Sequence, residues 1–220
     1  MASCTYVSHV HAINGAWATE NSSAYAGSAT GYYYTTKITF KTPSFSGTPG
    51  SITFKLAMSQ FVGTSVNLRY AICSSDANKA SYCNTFSAVS DANLIIAGTA
   101  NITGLTTGLS ASELYKEITI NASELASNKT YYLFLWSSTS EATNPKCVVI
   151  QPQGAYLDAN TKVNHTISIT VGSGGDGGQS GLVYIDNGTS FEAYQVYIYN
   201  GSGWDLYIPY IDNGSGWDAY

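Results

Sequence analysis

YYYTTKITFKT, residues 32–42, consists of aromatic and β-branched residues that alternate with polar ones over its second half, Lys37 to Thr42, and contains no glycine or proline. That period of two, in residues that fit a pleated half-buried surface, predicts a strand. The next eight residues, PSFSGTPG, supply a turn, and SITFKLAMS (51–59) starts a second strand. Working outward, the same texture recurs in VNLRYAICS (66–74), ANLIIAGTANIT (92–103), YKEITINA (115–122), TYYLFLWSS (130–138), CVVIQP (147–152) and VNHTISITVG (163–172). Eight such runs predict an all-β fold, an antiparallel β-sandwich of jelly-roll type over residues 1–171. TYYLFLW alternates poorly, as a strand buried on both faces does. Tyr131, Leu133 and Leu135 are expected on one face and Phe134 and Trp136 on the other, all as core. SELASNK (123–129) is expected to form one helical turn.

Composition agrees. The chain has 220 residues, with 21 glycines and 18 tyrosines, and only 10% of it is charged. A body of this length can bury a sizeable core. The formal net charge of -5 leaves no basic patch for phosphate backbones or anionic lipid, so neither nucleic acid nor a membrane surface is an expected partner. No apolar run approaches the roughly 18 residues of a membrane span, and MASCTYVSHVHAING lacks the basic start and apolar core of a signal peptide. Sec export is therefore not expected, and the Asn-x-Ser/Thr triplets, which begin at Asn21, Asn101, Asn121, Asn128, Asn164, Asn187, Asn200 and Asn213, are not read as glycosylation sites.

At residues 172–181 the texture changes to GSGGDGGQSG, the composition of a flexible linker. Beyond it, residues 182–220 carry a phrase repeated three times: VYIDNGTSFEAY (183–194), VYIYNGSGWDLY (196–207) and PYIDNGSGWDAY (209–220). Asn187, Asn200 and Asn213 stand thirteen residues apart, as do Phe191, Trp204 and Trp217. Asn-Gly between β-forming residues is the strongest short-range hairpin signal, because both residues accept positive φ. Each copy thus predicts a short β-hairpin. A lone hairpin is marginal in water, so the aromatic residues need a partner to cover them.

The candidate binding residues are Phe191, Tyr194, Trp204, Asp205, Tyr207, Trp217, Asp218 and Tyr220. Two partners suit this chemistry. Like chains or neighbouring proteins could pack aromatic on aromatic, or a glycan could stack on the ring faces while Asp205 and Asp218 accept hydroxyl hydrogen bonds.

Catalytic signals are absent. No nucleophile elbow, phosphate loop, zinc-protease or dinucleotide motif occurs. Glu113, Glu117 and Glu124 could in principle supply a carboxylate pair for glycoside hydrolysis, but surface or turn carboxylates are the favoured reading. His9 and His11 alternate near the start and His165 lies in a strand run, without cysteine or carboxylate at a ligand-like spacing. Neither a catalytic site, a metal site nor a cofactor is expected. Of Cys4, Cys73, Cys83 and Cys147, Cys73 and Cys83 could bridge a loop, although buried or half-buried thiols are favoured.

The tandem YIDNGSGWDxY phrase behind a glycine linker resembles the ends of bacteriophage and prophage virion structural proteins, of tail, fibre or decoration type, from Gram-positive gut bacteria. The sharp match covers residues 183–220, and the body resembles the β-sandwich modules beside such ends only at the level of fold. The resemblance implies a non-enzymatic structural or adhesion role in a virion assembled in the bacterial cytoplasm and then released. Like chains, other virion proteins or a host-surface glycan would be its partners. A free-standing carbohydrate-binding module for cell-wall or mucosal glycans is the alternative.

Overall fold

The computed structural model describes residues 1–29, 31–76, 92–107, 114–137 and 146–172, together with the strand backbone of 182–186, 191–199, 204–207, 210–212 and 217–219. The chain divides into two compact units, Met1–Gly172 and Ser173–Tyr220. Apart from Gly172, the expected linker lies outside the described residues. Among the described residues no helix is long and apolar enough to cross a membrane.

The first unit is all-β and antiparallel. Its strands are β1 (Ala2–Ile13), β2 (Ala16–Trp17), β3 (Ala24–Ala29), β4 (Tyr32–Lys41), β5 (Pro49–Val62), β6 (Val66–Cys73), β7 (Leu94–Ile102), β8 (Tyr115–Asn121), β9 (Thr130–Ser137), β10 (Lys146–Ile150) and β11 (Thr166–Val171). The eight expected strand runs correspond to β4 through β11, and β1, β2 and β3 come in addition. SELASNK forms turns and no helix: the Leu125 amide reaches back to the Ala122 carbonyl at 2.9 Å, and Asn128 takes a positive φ of 56°. The side-chain-to-backbone bonds around it, from Thr42 Oγ1 to the Ala126 and Lys129 carbonyls, hold an extended path instead of a helical one.

Hydrogen bonding runs through the order β2-β1-β11-β5-β10-β3-β4-β9-β6-β7, with β8 added on the outer side of β5. Two long strands make this one path possible. Residues 2–4 of β1 pair with β11, whereas residues 5–13 pair with β4, across a bulge between Tyr6 and Ser8. In β5, the first part pairs with β11 and β8, and the part from Met58 pairs with β10. A long strand that changes partners partway along is how a β fold turns a corner. As a result the sheet bends back over itself: β4 and β5 share no ladder, yet Phe40 and Phe54 meet edge to face with ring centroids 5.1 Å apart.

One apolar core fills the bend. It draws Cys4, Ala26, Ile38, Phe40, Phe54, Leu68, Ile118, Leu133, Val148 and Ile167 from nine strands, so none of these strands can leave without exposing apolar surface. Tyr131, Leu133 and Leu135 belong to this core, while Phe134 and Trp136 join Ala71 and Cys73 in a second buried cluster. The two-faced burial expected for β9 is the arrangement that forms, and Trp136 is fully buried.

In the second unit, β12 (Leu182–Asp186), β13 (Phe191–Tyr199) and β14 (Trp204–Tyr207) make a three-stranded sheet, and β15 (Tyr210–Asp212) pairs with β16 (Trp217–Ala219).

Candidate functional site

The repeat yields the same strand pairing in each copy. Val183 stands opposite Tyr194 and Asp186 opposite Phe191; Val196 opposite Tyr207 and Tyr199 opposite Trp204; Tyr210 opposite Ala219 and Asp212 opposite Trp217. In every copy the apolar triplet before Asn-Gly pairs with the aromatic-acid segment after it. The Asn-Gly segments 187–190, 200–203 and 213–216 lie outside the described residues.

The copies are not three separate hairpins. β13 is one continuous strand: residues 191–195 pair with β12 and residues 196–199 with β14. Phe191, Tyr194, Trp204, Asp205 and Tyr207 therefore share one three-stranded sheet. Trp217 and Asp218 stand in the separate β15–β16 pair, Asp218 opposite Ile211. Tyr220 lies outside the described residues. Spacing does not distinguish the two junctions, since one residue, Gln195 or Ile208, stands at each; the third phrase differs in opening on Pro209, which has no amide to donate to a ladder, where the second opens on Val196.

In the body, the three histidines do not form one group. β1 is buried on both faces from Ser8 to Ala12, which places His9 and His11 inside the fold. His9 and His165 meet with ring centroids 5.8 Å apart, and the Tyr6 ring lies 5.2 Å from that of His165. The Tyr6 hydroxyl bonds to His9 Nδ1, and His9 Nε2 donates to the Ser22 carbonyl at 2.7 Å. Asn21, at a positive φ of 57°, makes that approach possible by bonding both backbone groups of His9. His165 is not inside a strand but stands one residue before β11. Its Nδ1 accepts the Ala57 amide at 3.2 Å and its Nε2 donates to the Gln151 carbonyl at 2.9 Å. His11 packs instead as an aromatic ring, edge-on to Tyr25 at 5.0 Å and near Tyr34.

Burial sets the acid-base behaviour of these groups. It lowers the pKa of His9 and His11 below the ordinary histidine value and takes His165 down to about 4. It raises the Tyr6 phenol and the Cys147 thiol, and pushes Cys4 up to about 11. A thiol held that high is a poor nucleophile at neutral pH, so Cys4 and Cys147 act as core residues. Cys73 is buried too, and Cys83 lies outside the described residues. Among the described residues no group of three or more His, Cys, Asp or Glu side chains could hold a metal ion.

The carboxylates are dispersed. Glu117 is exposed on β8, 3.8 Å from Lys55, and Glu124 is exposed in the turn after it; Glu113 lies outside the described residues. Sequence reasoning missed one charged cluster. Lys37, a buried residue on β4, binds Asp76 at 2.8 Å and lies 5.1 Å above the half-exposed Trp17 ring and 5.9 Å from that of Tyr132. The signal was a lysine in the middle of a strand run, between Thr36 and Ile38, where a buried ammonium is stabilised by a carboxylate and aromatic faces.

No family model matches the chain, and no curated protein matches it. Among solved structures it is similar to a GH31 alpha-xylosidase from Xanthomonas citri, at 8% sequence identity over 78% of this chain with a TM-score of 0.24. This chain spans 18% of that enzyme's length. A likeness at that level transfers neither fold nor activity.

Proposed function

We propose that this chain is a non-enzymatic structural and adhesion protein of a bacteriophage virion, and that it assembles or docks through its C-terminal hairpin repeats. The observation that carries this reading is the shared register: three copies of one phrase give one strand pairing, repeated within a unit separate from the body. A contact module gains from such repetition, because each copy offers the same aromatic-acid strand, Trp204-Asp205 or Trp217-Asp218, to the same kind of partner. The body supports the reading in a second way. His9 and His165 have both ring nitrogens engaged within the fold, and the described glutamates stand apart on the surface.

Like chains are the favoured partner and a host-surface glycan the second. Removing residues 183–220, or changing Trp204 and Trp217 together to Ala, should abolish self-association measured by light scattering while any binding on a glycan array stays unchanged. Unchanged mass with lost glycan binding would favour the carbohydrate-binding module. No change in either would overturn both.

A further inference from the structure

His165 stands where β5 changes partners. Lys55 of β5 is opposite Thr166 of β11, and Met58 is opposite Ile150 of β10, which leaves a gap between the two ladders. Ala57 lies in that gap, and its buried backbone groups need partners. Its carbonyl accepts the Gln151 amide directly at 2.9 Å. Its amide does not reach the Gln151 carbonyl; the His165 ring joins them, accepting from Ala57 on Nδ1 and donating to Gln151 from Nε2. Half of this antiparallel pair is direct and half is relayed through an imidazole.

Only one protonation state can make the relay. A carbonyl can only accept, so Nε2 carries the proton; a backbone amide can only donate, so Nδ1 is bare. A second proton would place N–H against N–H at Ala57, removing one bond and adding donor-donor repulsion. His9 differs, because the Tyr6 hydroxyl at its Nδ1 can turn from donor to acceptor and keep the contact when His9 is charged.

Burial outweighs the one group that favours the imidazolium, the Gln151 carbonyl on Nε2, and His9 opposes its charge. β1 presents Tyr6 and His9, β5 the Ala57 amide, and the segment after β10 the Gln151 carbonyl, with Gln153 Oε1 on the His165 backbone amide. From β8 the Tyr115 hydroxyl meets the neighbouring Asn164 amide. Among the described residues no carboxylate pairs with either imidazole.

We propose that the His165 imidazole is an acid-operated latch on the seam between β5 and β10: a proton on Nδ1 breaks the relayed bond and opens the sheet locally where β5 passes from β11 to β10. Burial keeps the latch closed near neutrality, since the ring titrates at about 4 in the closed fold against 6.5 when released. The closed state thus binds fewer protons between those values, and opening is favoured as pH falls through that window. For a single site with these two values, the opening constant rises roughly 70-fold between about pH 7.5 and about pH 4.5.

Amide hydrogen exchange by NMR on the whole chain, corrected for intrinsic rates, reads this directly. Protection at the Ala57 and Gln151 amides should fall roughly 70-fold over that range while the Phe40 and Ile72 amides hold theirs. His165→Asn keeps an acceptor near the Nδ1 position without a titrating ring, and should flatten the pH dependence at Ala57. If that variant does not fold, the imidazole titration of the unaltered protein decides: coincidence of its midpoint with Ala57 opening supports the latch. Protonation of His165 with Ala57 still protected, equal loss of protection at all four amides, or an unchanged profile in a folded His165→Asn variant would overturn it.

Discussion

In the body, Ala2 pairs with Ile169 and Phe40 with Tyr131; in the C-terminal unit, Val183 pairs with Tyr194 and Tyr210 with Ala219. The first kind of pair closes a loop of about a hundred residues or more, the second a loop of about ten. Loop closure costs entropy before any contact repays it, so the body depends on a core that rewards many distant pairings together. In the C-terminal unit each pairing joins two segments of one thirteen-residue copy. Structure in the body is therefore cooperative, and structure in the repeats is local and repetitive.

The largest expected effect strikes the cooperative side. Phe54→Ala removes a fully buried ring that meets Phe40 across the bend, and should destabilise the body by about 3–5 kcal/mol. Urea denaturation of the variant and the parent would measure it. A loss below about 1 kcal/mol would mean that the core tolerates collapse at its centre and that the body is less cooperative than its topology indicates.

A smaller loss, of about 1–3 kcal/mol, is expected for Gly27→Ala. Gly27 has a φ of 121°, and a Cβ there would collide with the Lys146 carbonyl oxygen on the paired strand β10. Gly31 is the control: its φ is also positive, at 78°, but a Cβ there meets nothing within 4 Å. If both variants melt at one temperature, backbone strain and not close approach explains the glycine at position 27.

The smallest effect is expected from ending the chain after Gly172. Among the described residues the core cluster is drawn from the body's own strands, so its thermal midpoint by circular dichroism should stay within about 2 °C of the full chain. A larger fall would break the comparison by showing that the repeats stabilise the body.

How much of this was legible beforehand depends on the kind of signal. The runs in β4 to β11 announce themselves through their β-branched, aromatic and aliphatic residues between turn signals, and β9, which alternates poorly, still reveals which residues face which way. The strand AYAGSA gives no such signal, since small residues have low strand propensity; it is a strand because β4 and β10 flank it so closely that a larger side chain at Gly27 could not fit. ASCTYVSHVHAI hides in the same way. Its histidines read as polar, yet tyrosine, carbonyl and ring partners make them core residues.

The sequence by itself determined the all-β class and the position of the strand runs β4 to β11, because side-chain period acts over a few residues. Only the tertiary structure decided that β1 and β5 each serve two partners, that β13 fuses two repeats, and that His165 relays a backbone bond from Ala57 to Gln151. Those outcomes depend on which backbone groups remain unpaired once distant strands have met, and no local pattern carries that information.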